Sequence, residues 1–260
     1  MTSPVVLSST DPATDGGLIA VRDISEAARN TGVDYRLLGG SAVLLHVYRT
    51  GIDVPTRGTA DADCGVRPPI LTAGGLVAEI ELLGYIKTEG NRWERVIDDD
   101  RTATVDLLVP AYTSRPRASK QIGDVNTTEV PGLAEAFQSE PYVVEATFLL
   151  NTGERMEATV VLPDAKSMIL LKAGARRVRN EERDATDLWR CLEVASVDQV
   201  VPTDFDIWDD FPKTRAFLHR ELGRGGAALS VITSELSAEE ASRIATRIQA
   251  LLQQVVGPED

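Results

Sequence analysis

The sequence predicts an α+β fold, a mixed sheet with flanking helices followed by a helical C-terminal lobe. Three observations lead there. Short β-branched segments alternate with helical patterns between residues 18 and 109, and a hairpin pattern follows at 142–162. Beyond Pro163 the apolar spacing turns helical. The resulting division is a flexible tail over 1–16, an α/β lobe over 17–163 and a helical lobe over 164–260. With 260 residues and 43% hydrophobic content the chain is long enough to bury such a core.

Residues 18–30 place Leu18, Ile19, Val21, Ile24, Ala27 and Ala28 at helical spacing and stop at Asn30-Thr31-Gly32. Residues 33–38 form a short apolar strand that runs into Gly39-Gly40-Ser41 and a helix over 42–48, with Ser41 as its N-cap. After a Gly, Pro and Thr-rich loop, 59–66 reads as a strand and 71–83 as a helix closed by Gly84. Strands follow at 85–88, 93–97 and 103–109, the last halted by Pro110. Residues 142–150 and 155–162 flank Asn151-Thr152-Gly153-Glu154 as a hairpin. Helices are expected at 165–179 and 185–195, and Ser237-Ala238-Glu239-Glu240 is a capping box opening a last one. Residues 202–212 read as an irregular connection, and no internal repeat is present.

Composition excludes several classes. Cys64 and Cys191 are too few for a disulfide framework and have no zinc spacing, so a reducing cytoplasm is expected. No stretch approaches a membrane-spanning length, and no membrane partner is expected. A net charge of −13 argues against broad non-specific nucleic-acid binding, which depends on lysines and arginines displacing counterions. Two basic islands stand out, Lys172 to Arg183 and Arg115, Arg117 and Lys120, with a solvated face as the alternative reading.

Asp61 and Asp63 are two residues apart on a predicted strand, so their carboxylates share a face and repel. An oxygen-preferring cation, Mg²⁺ or Mn²⁺ in its place, relieves that repulsion and bridges phosphate oxygens of a nucleotide. Asp106 is a lone carboxylate in the apolar run Thr104-Val105-Asp106-Leu107-Leu108-Val109, costly unless paired or metal-bound, and it joins them as third ligand. Gly39, Gly40 and Ser41 lie about twenty residues upstream, at a strand-to-helix junction suited to phosphate. The turn is neither G-x-G-x-x-G nor a P-loop. D-x-D alone is a common surface-strand pattern, and its weight comes from this context.

Together, Leu38-Gly39-Gly40-Ser41 through His46 and Thr59-Ala60-Asp61-Ala62-Asp63 resemble the polymerase-β-like nucleotidyltransferases. The branch they look most like is the AbiEii/MenT type, nucleotidyltransferase-like toxins of bacterial toxin–antitoxin systems. That branch carries a lysine, an arginine and an aspartate in its helical half, and Lys172, Arg176 and Asp187 are similar in type and spacing. The resemblance spans roughly residues 37–192. It implies nucleotide transfer from an NTP to an acceptor hydroxyl with loss of pyrophosphate, catalysed by Asp61, Asp63, Asp106, Lys172 and Asp187. Gly39, Gly40, Ser41, Lys172 and Arg176 would contact the nucleotide, and Asp106 would serve as metal ligand or general base. The implied acceptor is tRNA or another RNA, and a cognate antitoxin would be a partner.

One unbroken helix would separate Lys172 from Asp187 by about 22 Å. A break at Asn180-Glu181-Glu182 is therefore expected, with Asn180 capping the second helix and either Asp184 or Asp187 as the functional carboxylate. Rival readings are a small-molecule nucleotidyltransferase of the aminoglycoside type, which suits the acidic surface, and a degenerate nucleotide-binding relative. His46 is a phosphate contact or, more commonly, a helical histidine satisfied by its neighbours. Cys64 reads as core. Arg57 is a phosphate contact or a surface charge, and Trp93, Trp189 and Trp208 read as core or lobe-interface residues. Asp98-Asp99-Asp100 reads as a solvated turn.

Overall fold

The computed structural model describes residues 4–113 and 115–259. The chain is α+β and divides into two compact units, Met1–Asp164 and Ala165–Asp260. The first unit opens with β1 (Val5–Ser8), α1 (Pro12–Thr31), β2 (Tyr35–Leu37), α2 (Gly39–Thr50) and β3 (Asp61–Val66). Then come α3 (Pro68–Ala73), α4 (Gly75–Leu82), β4 (Ile86–Glu89), β5 (Arg92–Val96) and β6 (Thr102–Pro110). It closes with β7 (Lys120–Ile122), β8 (Val125–Val130), α5 (Leu133–Ala136), β9 (Tyr142–Leu149) and β10 (Arg155–Leu162).

The larger sheet follows the order β2-β3-β6-β5-β4, with β8 also on β6 and β7 on β8. Strand β6 is its hub, parallel to β3 and β8 and antiparallel to β5. Alternation sets its two faces. Ala62 and Cys64 of β3, Ala103 and Val105 of β6 and Trp93 of β5 form a fully buried face, each 0% exposed. Helix α1 packs on β3 and β6, and Arg95, on the Trp93 side of β5, meets its buried Asp23 at 2.7 Å. Asp61, Asp63, Thr104, Asp106, Arg92 and Glu94 lie on the opposite face.

The smaller sheet has β9 at its centre, parallel to β1 and antiparallel to β10. Strand β1 corrects the expected loose tail over residues 4–16; residues 1–3 of that tail lie outside the described residues. Its Val5 and Leu7 are buried and its backbone pairs along β9, which docks a segment of largely polar composition. Helix α1 starts earlier than its apolar pattern because Asp11 accepts a hydrogen bond from the Thr14 amide, 2.9 Å. The helix expected over 71–83 is split in two at Gly74, which adopts φ 77°.

The second unit holds α6 (Ala165–Arg179), α7 (Glu182–Val197), α8 (Phe211–Leu222), α9 (Ala227–Thr233) and α10 (Ala238–Leu251). Ser237 and Glu240 close the expected capping box of α10. Residues 202–212, which run into the start of α8, contain a short 3₁₀ turn, Pro202–Phe205, and the rings of Phe205 and Phe211 stack at 3.9 Å. No helix among the described residues is long and apolar enough to cross a membrane.

Candidate active site

The D-x-D alternation places Asp61 and Asp63 on one face of β3, and parallel pairing sets Asp63 directly beside Asp106 of β6. One carboxylate oxygen from each of Asp61, Asp63 and Asp106 falls within 4.8 Å of the others. Asp61 and Asp63 are half-buried and Asp106 is buried. Oxygen ligands on either side of Mg²⁺ or Ca²⁺ lie about 4–5 Å apart, so this spacing and all-oxygen donor set fit a hard divalent cation.

Residues beside the cluster complete the geometry. Arg92 stands opposite Asp106 on β5 and grips both its oxygens, Nε to Oδ1 at 3.0 Å and Nη2 to Oδ2 at 2.7 Å. The hydrogen bond to Asp106 raises the Arg92 pKa well above the ordinary arginine value; burial opposes this, and the charges of Asp106, Asp61 and Glu94 reinforce it. Arg92 carries no motif that marks it as a site residue. Its alternation in Arg92-Trp93-Glu94 was readable, but its place beside Asp106 depends on a strand register that no local pattern encodes.

Helix α2 begins at Gly39, whose φ of 67° is left-handed. A Cβ there would lie 2.1 Å from Oδ2 of Asp63, so glycine is needed both for the backbone and for the carboxylate's space. The N-cap is Leu38, correcting the expectation for Ser41. Ser41 sits inside the first turn, and its hydroxyl donates to the Asp61 carbonyl at 3.1 Å, tying the helix start to the carboxylate strand. The Leu38 amide bonds the Asp63 carbonyl at 2.8 Å. First-turn amides of a helix have no intrahelical acceptor, and Gly39, Gly40 and Ser41 occupy that first turn. Arg57 comes close to this turn, since a Cβ on Gly40 would lie 3.2 Å from its Nη2.

In the helical unit, Lys172 Nζ and Asp187 Oδ2 form a buried ion pair at 2.8 Å, and Arg190 Nη1 meets Asp187 Oδ1 at 2.7 Å. The helix break that brings them together is present between α6 and α7. The sequence expectation that Asn180 caps the second helix is corrected: Asn180 follows the first helix with φ 52°, and Glu181 is the N-cap of α7. Asp184 is gripped by Arg179 through two bonds of 2.8 Å, so Asp187 is the carboxylate that meets Lys172. Arg176 is buried and donates to Glu221 at 3.2 Å and to the Glu181 carbonyl at 3.0 Å, bracing the helices around the break.

The other candidates are taken up by the fold or its turns. His46 is buried, with Nε2 2.8 Å from the Pro163 carbonyl, and Cys64 is buried with its thiol pKa pushed up by burial. Trp93, Trp189 and Trp208 are buried. Asp98 accepts from the amides of Asp100 and Arg101 in an exposed turn.

No protein-family model and no curated protein matches the chain. Among solved structures, the chain is similar to the crystal structure of ANT(2″)-Ia in complex with adenylyl-2″-tobramycin. The identity is 17%, covering 91% of this chain and 98% of that one, with a TM-score of 0.32.

Proposed function

We propose that this protein is a metal-dependent nucleotidyltransferase that moves a nucleotide from an NTP to an acceptor hydroxyl and releases pyrophosphate. The observation that carries this reading is the convergence of Asp61, Asp63 and Asp106 within 4.8 Å beside the glycine start of α2. These three carboxylates would hold Mg²⁺ or Mn²⁺, which supplies the positive charge that draws in phosphate oxygens and offsets charge developing on them. The first-turn amides of α2 bind phosphate, with Gly39 leaving room for Asp63. Both oxygens of Asp106 already accept from Arg92, and the role assigned to Asp106 is that of ligand. The resemblance also assigns catalytic roles to Lys172, as a point charge for phosphate, and to Asp187; within the helical unit these two form a buried ion pair, and Arg176 braces the same unit.

The resemblance to AbiEii/MenT-type toxins implies an RNA acceptor, tRNA among others, and a cognate antitoxin. A second reading, a cationic small-molecule acceptor of the aminoglycoside kind, is favoured by the net charge of −13. The test supplies α-labelled NTPs and Mg²⁺ with total RNA in one arm and aminoglycosides in the other. Label in RNA supports the first acceptor, and label in the aminoglycoside the second. No labelled product in either arm, or transfer unaffected by Asp63→Asn, overturns the activity.

A further inference from the structure

Three carboxylates within 4.8 Å of one another repel, and the cluster has a countercharge supplied by the chain itself. Arg92 reaches Asp106 from the neighbouring strand with a two-bond grip, and its side chain stays 39% exposed against 11% for Asp106. The pair forms on the face that carries Asp61 and Asp63, and Arg92, Asp106 and Asp63 occupy one cross-strand row of β5, β6 and β3. A guanidinium in that row sets the charge that an arriving cation meets.

We propose that Arg92 is a resident counter-ion of the carboxylate cluster, holding it together without metal and weakening its affinity for a bare divalent cation. The inference rests on the metal-binding reading of the same site. Its consequence for function is coupling. A cluster with three negative charges and no arginine would load a cation alone, whereas one partly neutralised by Arg92 favours a cation that arrives with triphosphate charge. Arg92 is thus a positioning residue, acting through Asp106 and through the local field.

The experiment is a Mn²⁺ titration of the full chain without nucleotide, read from the electron paramagnetic resonance of the free ion. Removing one positive charge a few ångströms from a dication, at high effective dielectric, corresponds to about tenfold in affinity. Arg92→Gln should therefore bind Mn²⁺ about tenfold more tightly than wild type. It should also melt at a lower temperature in EDTA and recover more on adding Mn²⁺. Arg92→Lys, which keeps the charge but not the two-bond grip, should bind within about threefold of wild type. Removing both partners of a pair is gentler on folding than removing one. Arg92→Gln/Asp106→Asn therefore provides a second route and should bind Mn²⁺ more tightly than Asp106→Asn alone. Equal or weaker binding when Arg92 is replaced, in both backgrounds, overturns the inference. If Asp63→Asn binds Mn²⁺ as wild type does, or nothing binds, the metal reading itself fails and the inference falls with it.

Discussion

Replacing Gly39 with alanine tests the link between the glycine turn and the carboxylates, and Gly51→Ala provides its control. The two glycines bound the same helix with the same φ of 67°, yet a Cβ at Gly51 meets nothing within 4 Å. Each substitution should cost roughly 1–2 kcal/mol for a left-handed non-glycine residue. At Gly39 the added carbon would also lie 2.1 Å from Oδ2, 3.0 Å from Cγ and 3.3 Å from Cβ of Asp63, so the whole carboxylate must swing away. Displacing a residue that orients a ligand lowers metal affinity by about 10- to 100-fold. Urea unfolding should therefore show at least as large a loss for Gly39→Ala, whose added carbon also displaces Asp63, as for Gly51→Ala, while Mn²⁺ titration shows weakened binding only for Gly39→Ala. Equal Mn²⁺ affinity in the two variants would refute the claim that the turn shapes the site.

In the helical unit, Lys172 and Asp187 are 4% and 1% exposed at their side chains. Asp187→Asn, which removes the carboxylate charge that Lys172 and Arg190 share, should destabilise by about 3–5 kcal/mol in urea unfolding, with Lys172→Met costing less because Asp187 keeps Arg190. The reverse order would contradict the pairing. Hydrogen bonding to Lys120 holds the Glu129 carboxyl below its ordinary value of 4.5, despite burial, with the Arg117 amide and the Lys120 and Arg117 charges assisting. Its contribution to stability is present above that value and is lost as pH falls through the depressed one. Melting temperature followed from pH 5 downward (about two units) should thus fall less steeply in Lys120→Met than in wild type, and parallel curves would argue against it.

Local patterns made much of the fold readable. Helix α1 and the β9–β10 hairpin follow from apolar spacing and turn residues, and the Ser237–Glu240 capping box marks the start of α10. The convergence of Asp61, Asp63 and Asp106 was readable too, because period-two alternation fixes one pair and a carboxylate in an apolar strand needs company. What escaped depends on distant partners. Strand β1 exists through its pairing with β9, and Arg92 meets Asp106 through the register of β5 on β6. Strands β7 and β8 were not read because their apolar content is low; Lys120, in one of the two basic islands, pairs there with Glu129. Ser41 looked like a cap from its residue type, but the left-handed Gly39 starts the helix earlier and turns the hydroxyl to Asp61.

The most direct test of the central claim compares NTPs labelled at the α- and γ-phosphorus, with Mg²⁺ and the accepting substrate, in wild type and Asp63→Asn. Nucleotide transfer puts the α-label covalently on the acceptor and the γ-label in released pyrophosphate, with both signals lost in Asp63→Asn. Transfer of the γ-label to the acceptor, or α-label transfer undiminished in Asp63→Asn, would contradict it.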